Sequence, residues 1–99
     1  MKLIKVVKST NSKKKYDALF KDKDGKEKKI SFGAAGYGDY TITKDKEQRE
    51  RYRKRHAKDL LTEKNKKGLG AGALSFGILW GDSTSLKKNI SDYKKKYNL

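Results

Sequence analysis

The chain has no cysteine and no proline. The first absence excludes a disulfide framework and a thiolate metal site; with the second, no Pro-rich linker divides the chain. Histidine occurs once, at His56. Long apolar runs are missing too. The longest, Leu69 to Trp80, is interrupted by Gly and Ser and is too short to span a bilayer. The opening Met1-Lys-Leu-Ile-Lys is broken by charge after two apolar residues, so it does not read as a signal peptide, and a soluble protein of intracellular origin is expected. Negative charge is scarce as well. Against 27 Lys and Arg stand 12 Asp and Glu, giving a formal charge of +15.

A 99-residue chain is the size of one domain. With this imbalance it repels itself, and three kinds of partner would screen it: nucleic acid, an anionic membrane face, or an acidic protein surface. Leu, Ile, Val and Phe total only 19 residues, a thin supply for a core. Six Tyr and one Trp partly compensate, because each ring buries a large area. Such a chain should fray at its ends unless neighbours hold it.

The pattern predicts an α+β fold, a small antiparallel sheet of two to three strands followed by about three helices, in a single domain over 1–99. Residues 1–32 form the strand and hairpin region. Residues 2–8 are short, β-branched and flanked by charge, and in 15–21 Tyr16, Ala18 and Phe20 alternate with Asp17, Leu19 and Lys21. Asp22-Lys-Asp-Gly25 supplies turn chemistry before a return strand at 26–32. A Gly-rich loop then occupies 33–43. A basic helix covers 44–60, with Thr43 or Asp45 as its cap and Gln48 at capping-box distance from Asp45. Glu47 with Arg51, and Glu50 with Lys54, stand at favourable i,i+4 spacing. The apolar side of this helix is narrow, made of Tyr52, His56 and Leu60. Residues 62–68 read as a polar loop. The region 69–99 holds an apolar helix at 71–80, stopped by Gly81, and an amphipathic C-terminal helix at 84–97. Ser83 or Thr84 caps the latter, and Leu86, Ile90, Tyr93 and Tyr97 form its stripe. Trp80, Phe76, Leu74, Ile90 and Tyr93 are expected to be the best-buried cluster.

Catalysis finds little support. His56 follows Arg55 in the most basic part of the chain, and no carboxylate adjacent in sequence orients its ring. Nearly every carboxylate has a cation nearby, which removes paired-acid chemistry. Asp22-Lys-Asp-Gly lacks the remaining ligands of a calcium loop and reads as a turn. No enzyme, no metal and no cofactor is expected. The segment GAAGYG at 33–38 matches neither the dinucleotide fingerprint nor the P-loop. Its Gly33, Gly36 and Gly38 either present backbone N–H groups to a phosphate or make a tight connection over the sheet. The basic helix carries more information. Lys44, Lys46, Arg49, Arg51, Arg53, Lys54, Arg55 and Lys58 face only Asp45, Glu47 and Glu50, more positive charge than solubility requires. These eight residues are the expected anion-binding or nucleic-acid-binding set, in which Tyr52 either stacks on a base or joins the core.

The run SFGAAGYGDYTITKDKEQRERYRKRH (Ser31 to His56), the apolar AGALSFGILW (71–80) and the closing SLKKNISDYKKKYNL (85–99) together resemble a largely uncharacterised family of small basic proteins encoded by giant double-stranded DNA viruses. The similarity spans roughly residues 15 to 99 and departs from the family pattern between His56 and Gly70. It implies a viral source and no enzymatic role, and it brings no active site. The resulting expectation is a minor structural protein of the virus particle, made in the host cytoplasm. It would lie inside or beneath the capsid shell and bridge virion or capsid proteins with acidic surfaces. The alternatives are a nucleic-acid-binding protein that coats or condenses the genome without sequence preference, and an accessory subunit of a viral enzyme.

Overall fold

A computed structural model of the chain describes residues 1–99. The N-terminal third is a three-stranded antiparallel sheet in the order β1 (Lys2–Lys8), β2 (Lys14–Lys21), β3 (Glu27–Ala34). Period-two alternation sends Ala18 and Phe20 inward, where both are fully buried. Their cross-strand partners follow: Leu3 lies opposite Phe20, Val6 and Ile30 opposite Ala18, and Phe32 opposite Tyr16. Leu3 and Val6 share the inner face although three residues apart, because the register shifts between Leu3 and Lys5 and Ile4 is the extra residue of a bulge. The β2–β3 turn is closed by Asp22, whose Oδ1 accepts the N–H groups of Asp24 and Lys26, both at 2.9 Å. Gly25 stands there at φ +82°, where a side chain would be strained.

The second half is a layer of short helices laid on the inner face. Part of the expected Gly-rich loop is regular structure: its first two residues complete β3, and its last four form a single turn, α1 (Tyr40–Thr43). Asp39 caps α1 by accepting the Thr41 N–H. Asp45, one of the two expected caps, begins α2 (Lys46–His56) by accepting from Glu47 and Gln48. The helix ends earlier than the sequence suggests, tightening to a 3₁₀ turn over Ala57–Leu61. The expected polar loop contains a further turn, α3 (Glu63–Lys66), capped by Thr62.

The apolar helix expected at 71–80 is two segments. α4 (Ala71–Leu74) widens into a π-helical turn over Ser75–Leu79, closed by the Trp80 N–H on the Ser75 carbonyl at 3.1 Å. At its centre a Cβ on Gly77 would stand 2.7 Å from the Tyr93 ring, so the glycine lets that ring approach the backbone. α5 (Leu86–Lys96) closes the fold. Its cap is Ser85, which accepts the Lys88 N–H, and not Ser83 or Thr84; the Ser83 hydroxyl accepts the Ser85 N–H instead.

The core lies between the sheet and the α4–π segment, where Leu3, Phe20, Phe32, Leu74, Ile78 and Leu79 are almost wholly inaccessible. Each such side chain contributes about 1.5–3 kcal/mol by leaving water. Trp80, Phe76, Leu74 and Tyr93 are buried as expected, but Ile90 is only half-buried. Its neighbour Asn89 occupies the inward position, at 1 % exposure. No helix is long and apolar enough to cross a membrane.

Candidate anion-binding site

The eight basic residues singled out in sequence divide into two sets. Arg49 and Arg53 turn inward. The Arg49 Nε donates to the Gly81 carbonyl at 2.6 Å and its Nη2 to Asp82 at 2.6 Å, while the Arg53 Nη1 donates to the Trp80 carbonyl at 2.9 Å. Carbonyls at a helix end lack intrahelical partners, so these guanidiniums satisfy the end of the π-helical turn. Arg53 also lies 4.4 Å from the centre of the Phe76 ring. Burial, and then the like charge of Arg49, lower the Arg53 pKa, but a guanidinium remains a cation in water. Neither residue belongs to the surface open to a partner. Lys44, Lys46, Arg51, Lys54, Arg55 and Lys58 do: all six are exposed and none is in an ion pair. The expected pairs of Glu47 with Arg51 and of Glu50 with Lys54 are not formed; Glu50 faces Arg49 instead.

A cavity of about 510 Å³ opens where the Gly-rich connection crosses α2. Gln48, Arg51, Tyr52, Arg55 and His56 line it from α2, their spacing placing them on one side of the helix. Tyr37, Gly38 and Asp39 line it from the Gly-rich connection, with Gly33 and Ala34 from the end of β3 and Lys15 from β2. Trp80, Leu79 and Ser75 complete the lining. Two motifs read separately in the sequence therefore meet at one place.

The aromatic side of the cavity is a stack of three rings. Tyr52 lies parallel to Trp80 at 4.4 Å between ring centres, and His56 follows on Tyr52 at 4.3 Å. Tyr52 thus packs against the core, the second of the two roles open to it. Burial, then the negative charge of Asp59, raise its phenol pKa. His56 does have an orienting carboxylate: the 3₁₀ turn brings Asp59 to 2.8 Å from Nδ1, a contact that sequence adjacency did not reveal.

The one carboxylate in the lining is already engaged. Asp39 is buried and accepts from Lys15 Nζ at 2.5 Å, from the Thr41 N–H at 2.9 Å and from the Thr41 hydroxyl. Its charge is met by Lys15, which leaves Arg51 and Arg55 as free positive groups. The three glycines have different tasks. Gly33, at φ +79°, is a packing glycine whose Cβ would meet Leu79 at 2.7 Å. Gly36, at φ +87° with open space around it, shapes the turn and does not line the cavity. Gly38 stands in the wall. The backbone N–H groups of Gly36, Tyr37, Gly38 and Asp39 have no acceptor within the chain, as a phosphate-contacting loop requires.

Sequence reading missed Lys15, Tyr37, Asp39 and Gln48 as parts of this site. Tyr37 and Asp39 were visible within the Gly-rich motif, but nothing local marked Lys15, which lies 24 positions from its partner. Nowhere do three or more His, Asp or Glu side chains converge as a metal site would need.

Sheet, helical layer and cavity define a small, strongly basic α+β domain. The chain belongs to a family of unknown function (DUF5754), whose model matches residues 4–56, from β1 to the end of α2. No curated protein and no solved structure matches it. The family match takes in both motifs that meet at the cavity, while Ser75, Leu79 and Trp80 lie beyond it.

Proposed function

We propose that the protein is a non-enzymatic component of a large DNA virus particle that binds nucleic-acid phosphates without sequence preference. The observation that carries this reading is the set of six exposed, unpaired cations on and beside α2, continuous with a cavity that joins arginines to aromatic rings. Charge alone would serve for an acidic protein surface. Rings and unengaged backbone N–H groups next to the charge suit a phosphate with a base attached.

A second reading is a minor structural protein bridging acidic surfaces beneath the capsid shell. Ile42 and Leu61, which flank α2, are 64 % and 68 % exposed and favour it, since a protein partner would cover them and a phosphate would not.

Salt dependence of duplex DNA binding tests the first reading. Each neutralised phosphate contributes a log–log slope of about −0.9, so four to six contacts give roughly −4 to −5. Replacing Arg51, Lys54, Arg55 and Lys58 with Gln should flatten the slope by about 3 to 4 and weaken all sequences alike. Affinity unmoved by this variant would overturn the reading. Particles carrying it that keep a normal genome content but a disturbed shell would favour the second.

A further inference from the structure

The cavity holds more chemistry than a backbone-tracking surface needs. Arg51 and Arg55 stand one helical turn apart on the same wall, both exposed and without a carboxylate partner, and His56 lies beside them. Two guanidiniums one turn apart can share a single phosphate, and their fork geometry matches its oxygens. Tyr37 lines the same cavity and is 74 % exposed, the most accessible large apolar side chain of the molecule. It is an aromatic ring at the mouth of a cationic cavity, where stacking on a planar group would cover it. Gln48 accepts from the Thr43 hydroxyl at 2.9 Å through its Oε1, and its amide N–H groups have no acceptor within the chain. A volume of about 510 Å³ falls within the roughly 300–1,000 Å³ of small-molecule sites.

We propose that this cavity is a receptor for one nucleotide unit bearing a terminal phosphate monoester. Arg51 and Arg55 hold the phosphate, and Tyr37 stacks on the base. The proposal deepens the nucleic-acid reading, on which it rests for the natural source of the nucleotide. A free nucleoside monophosphate and the 5′-phosphorylated end of a strand offer the same chemistry.

Calorimetric titration of the full chain with AMP, ribose 5-phosphate and inorganic phosphate tests it. AMP should bind saturably with one site per chain, tighter than ribose 5-phosphate by roughly 5- to 150-fold, the range of one base–aromatic stack. Tyr37→Ala should abolish that difference while ribose 5-phosphate binding persists. Because Tyr37 is exposed, the variant should melt like the parent. Replacing Arg51 and Arg55 with Gln should weaken all three ligands at least tenfold, whereas replacing Lys54 and Lys58 should leave AMP affinity within twofold. Short single strands with and without a 5′-phosphate identify the source. Preference for the phosphorylated strand over AMP assigns a strand end, and preference for AMP assigns the free nucleotide. Equal affinity for AMP and inorganic phosphate, or no saturable binding of either, would overturn the receptor. If the salt slope on duplex DNA then stays steep and sensitive to Lys54 and Lys58, the broader reading survives it. A shallow, insensitive slope would remove both.

Discussion

Arg49 and Gly81, 32 positions apart, are joined by a hydrogen bond of 2.6 Å from the guanidinium Nε to the backbone carbonyl. This bond ties the basic helix to the end of the π-helical turn, and Asp82 adds a second contact to the same guanidinium. Arg49 therefore acts on stability rather than on partners. Arg49→Gln should lower stability by about 1.5–3 kcal/mol, the contribution of hydrogen bonds from charged groups. Thermal melting would then fall by on the order of 10 °C. Lys54→Gln, on the same helix but exposed and unpaired, should melt within a degree or two of the parent. Equal melting of the two variants would mean that the Arg49 contacts contribute nothing.

Asn89 is the buried polar hinge of the C-terminal half. Its Nδ2 donates to the carbonyls of Ile78 at 2.9 Å and Ser83 at 2.7 Å, and its Oδ1 accepts the Ser83 N–H at 3.0 Å. Asn89→Ala removes all three bonds and strands the buried Ile78 carbonyl, at a cost of about 2–4 kcal/mol. Chemical denaturation should show a lower midpoint at unchanged slope. Ile90→Ala, at a half-buried position, should cost less than Asn89→Ala, which reverses the ordering expected from the apolar stripe alone.

Gly68 has φ +75°, and a Cβ there would stand 2.5 Å from the Tyr97 ring. Its carbonyl accepts the Tyr93 hydroxyl at 2.7 Å. Gly68→Ala should destabilise by more than about 1 kcal/mol, since both the backbone and the contact oppose it. Gly36→Ala, at similar φ but in open space, isolates the backbone part. The difference between the two melting curves measures the steric part at Tyr97.

Titration should weaken the fold at both ends of the pH scale. Hydrogen bonds from the Ser31 and Ser9 hydroxyls, helped by Lys29, hold the Asp17 carboxyl below its ordinary range. The folded pKa is depressed, so this stabilisation is complete above the ordinary value of about 3.9 and is lost as pH falls through the folded value. Asp17→Asn should narrow the stability gap to the parent as pH drops below about 4. At the other end, burial raises the pKa of Tyr93, Tyr97 and Tyr52. Their contribution is complete below the unfolded value of about 10 and fades as pH rises above it. Absorbance of phenolate should therefore report these rings late and together with unfolding. Smooth ionisation of all six tyrosines with the fold intact would contradict it.

The sheet was legible because its signals are local: alternation in 15–21, and turn chemistry at Asp22 to Gly25. The helical stripe of α5 was legible for the same reason. What escaped was polar and distant. Lys15 meets Asp39, and Arg49 meets Gly81, across separations that no window of residues spans. Asn89 looked like a polar interruption beside Ile90, yet three backbone bonds make it the better-buried residue. Both motifs of the site were visible in the sequence, but their meeting was not, because it depends on how α1 turns the chain after β3. Counting charge also treats eight cations as equivalent, when hydrogen bonds to Trp80, Gly81 and Asp82 engage Arg49 and Arg53 within the fold.

Trp80 is the chain's single tryptophan, and it both stacks on Tyr52 and lines the cavity. The molecule therefore carries its own optical gauge. Indole emission, excited apart from the tyrosines, samples one locus that loses its ring neighbour when α2 detaches and changes surroundings when the cavity fills. With no second indole to average over, a change in emission on adding a solute refers to that locus, and a red shift marks its exposure to water.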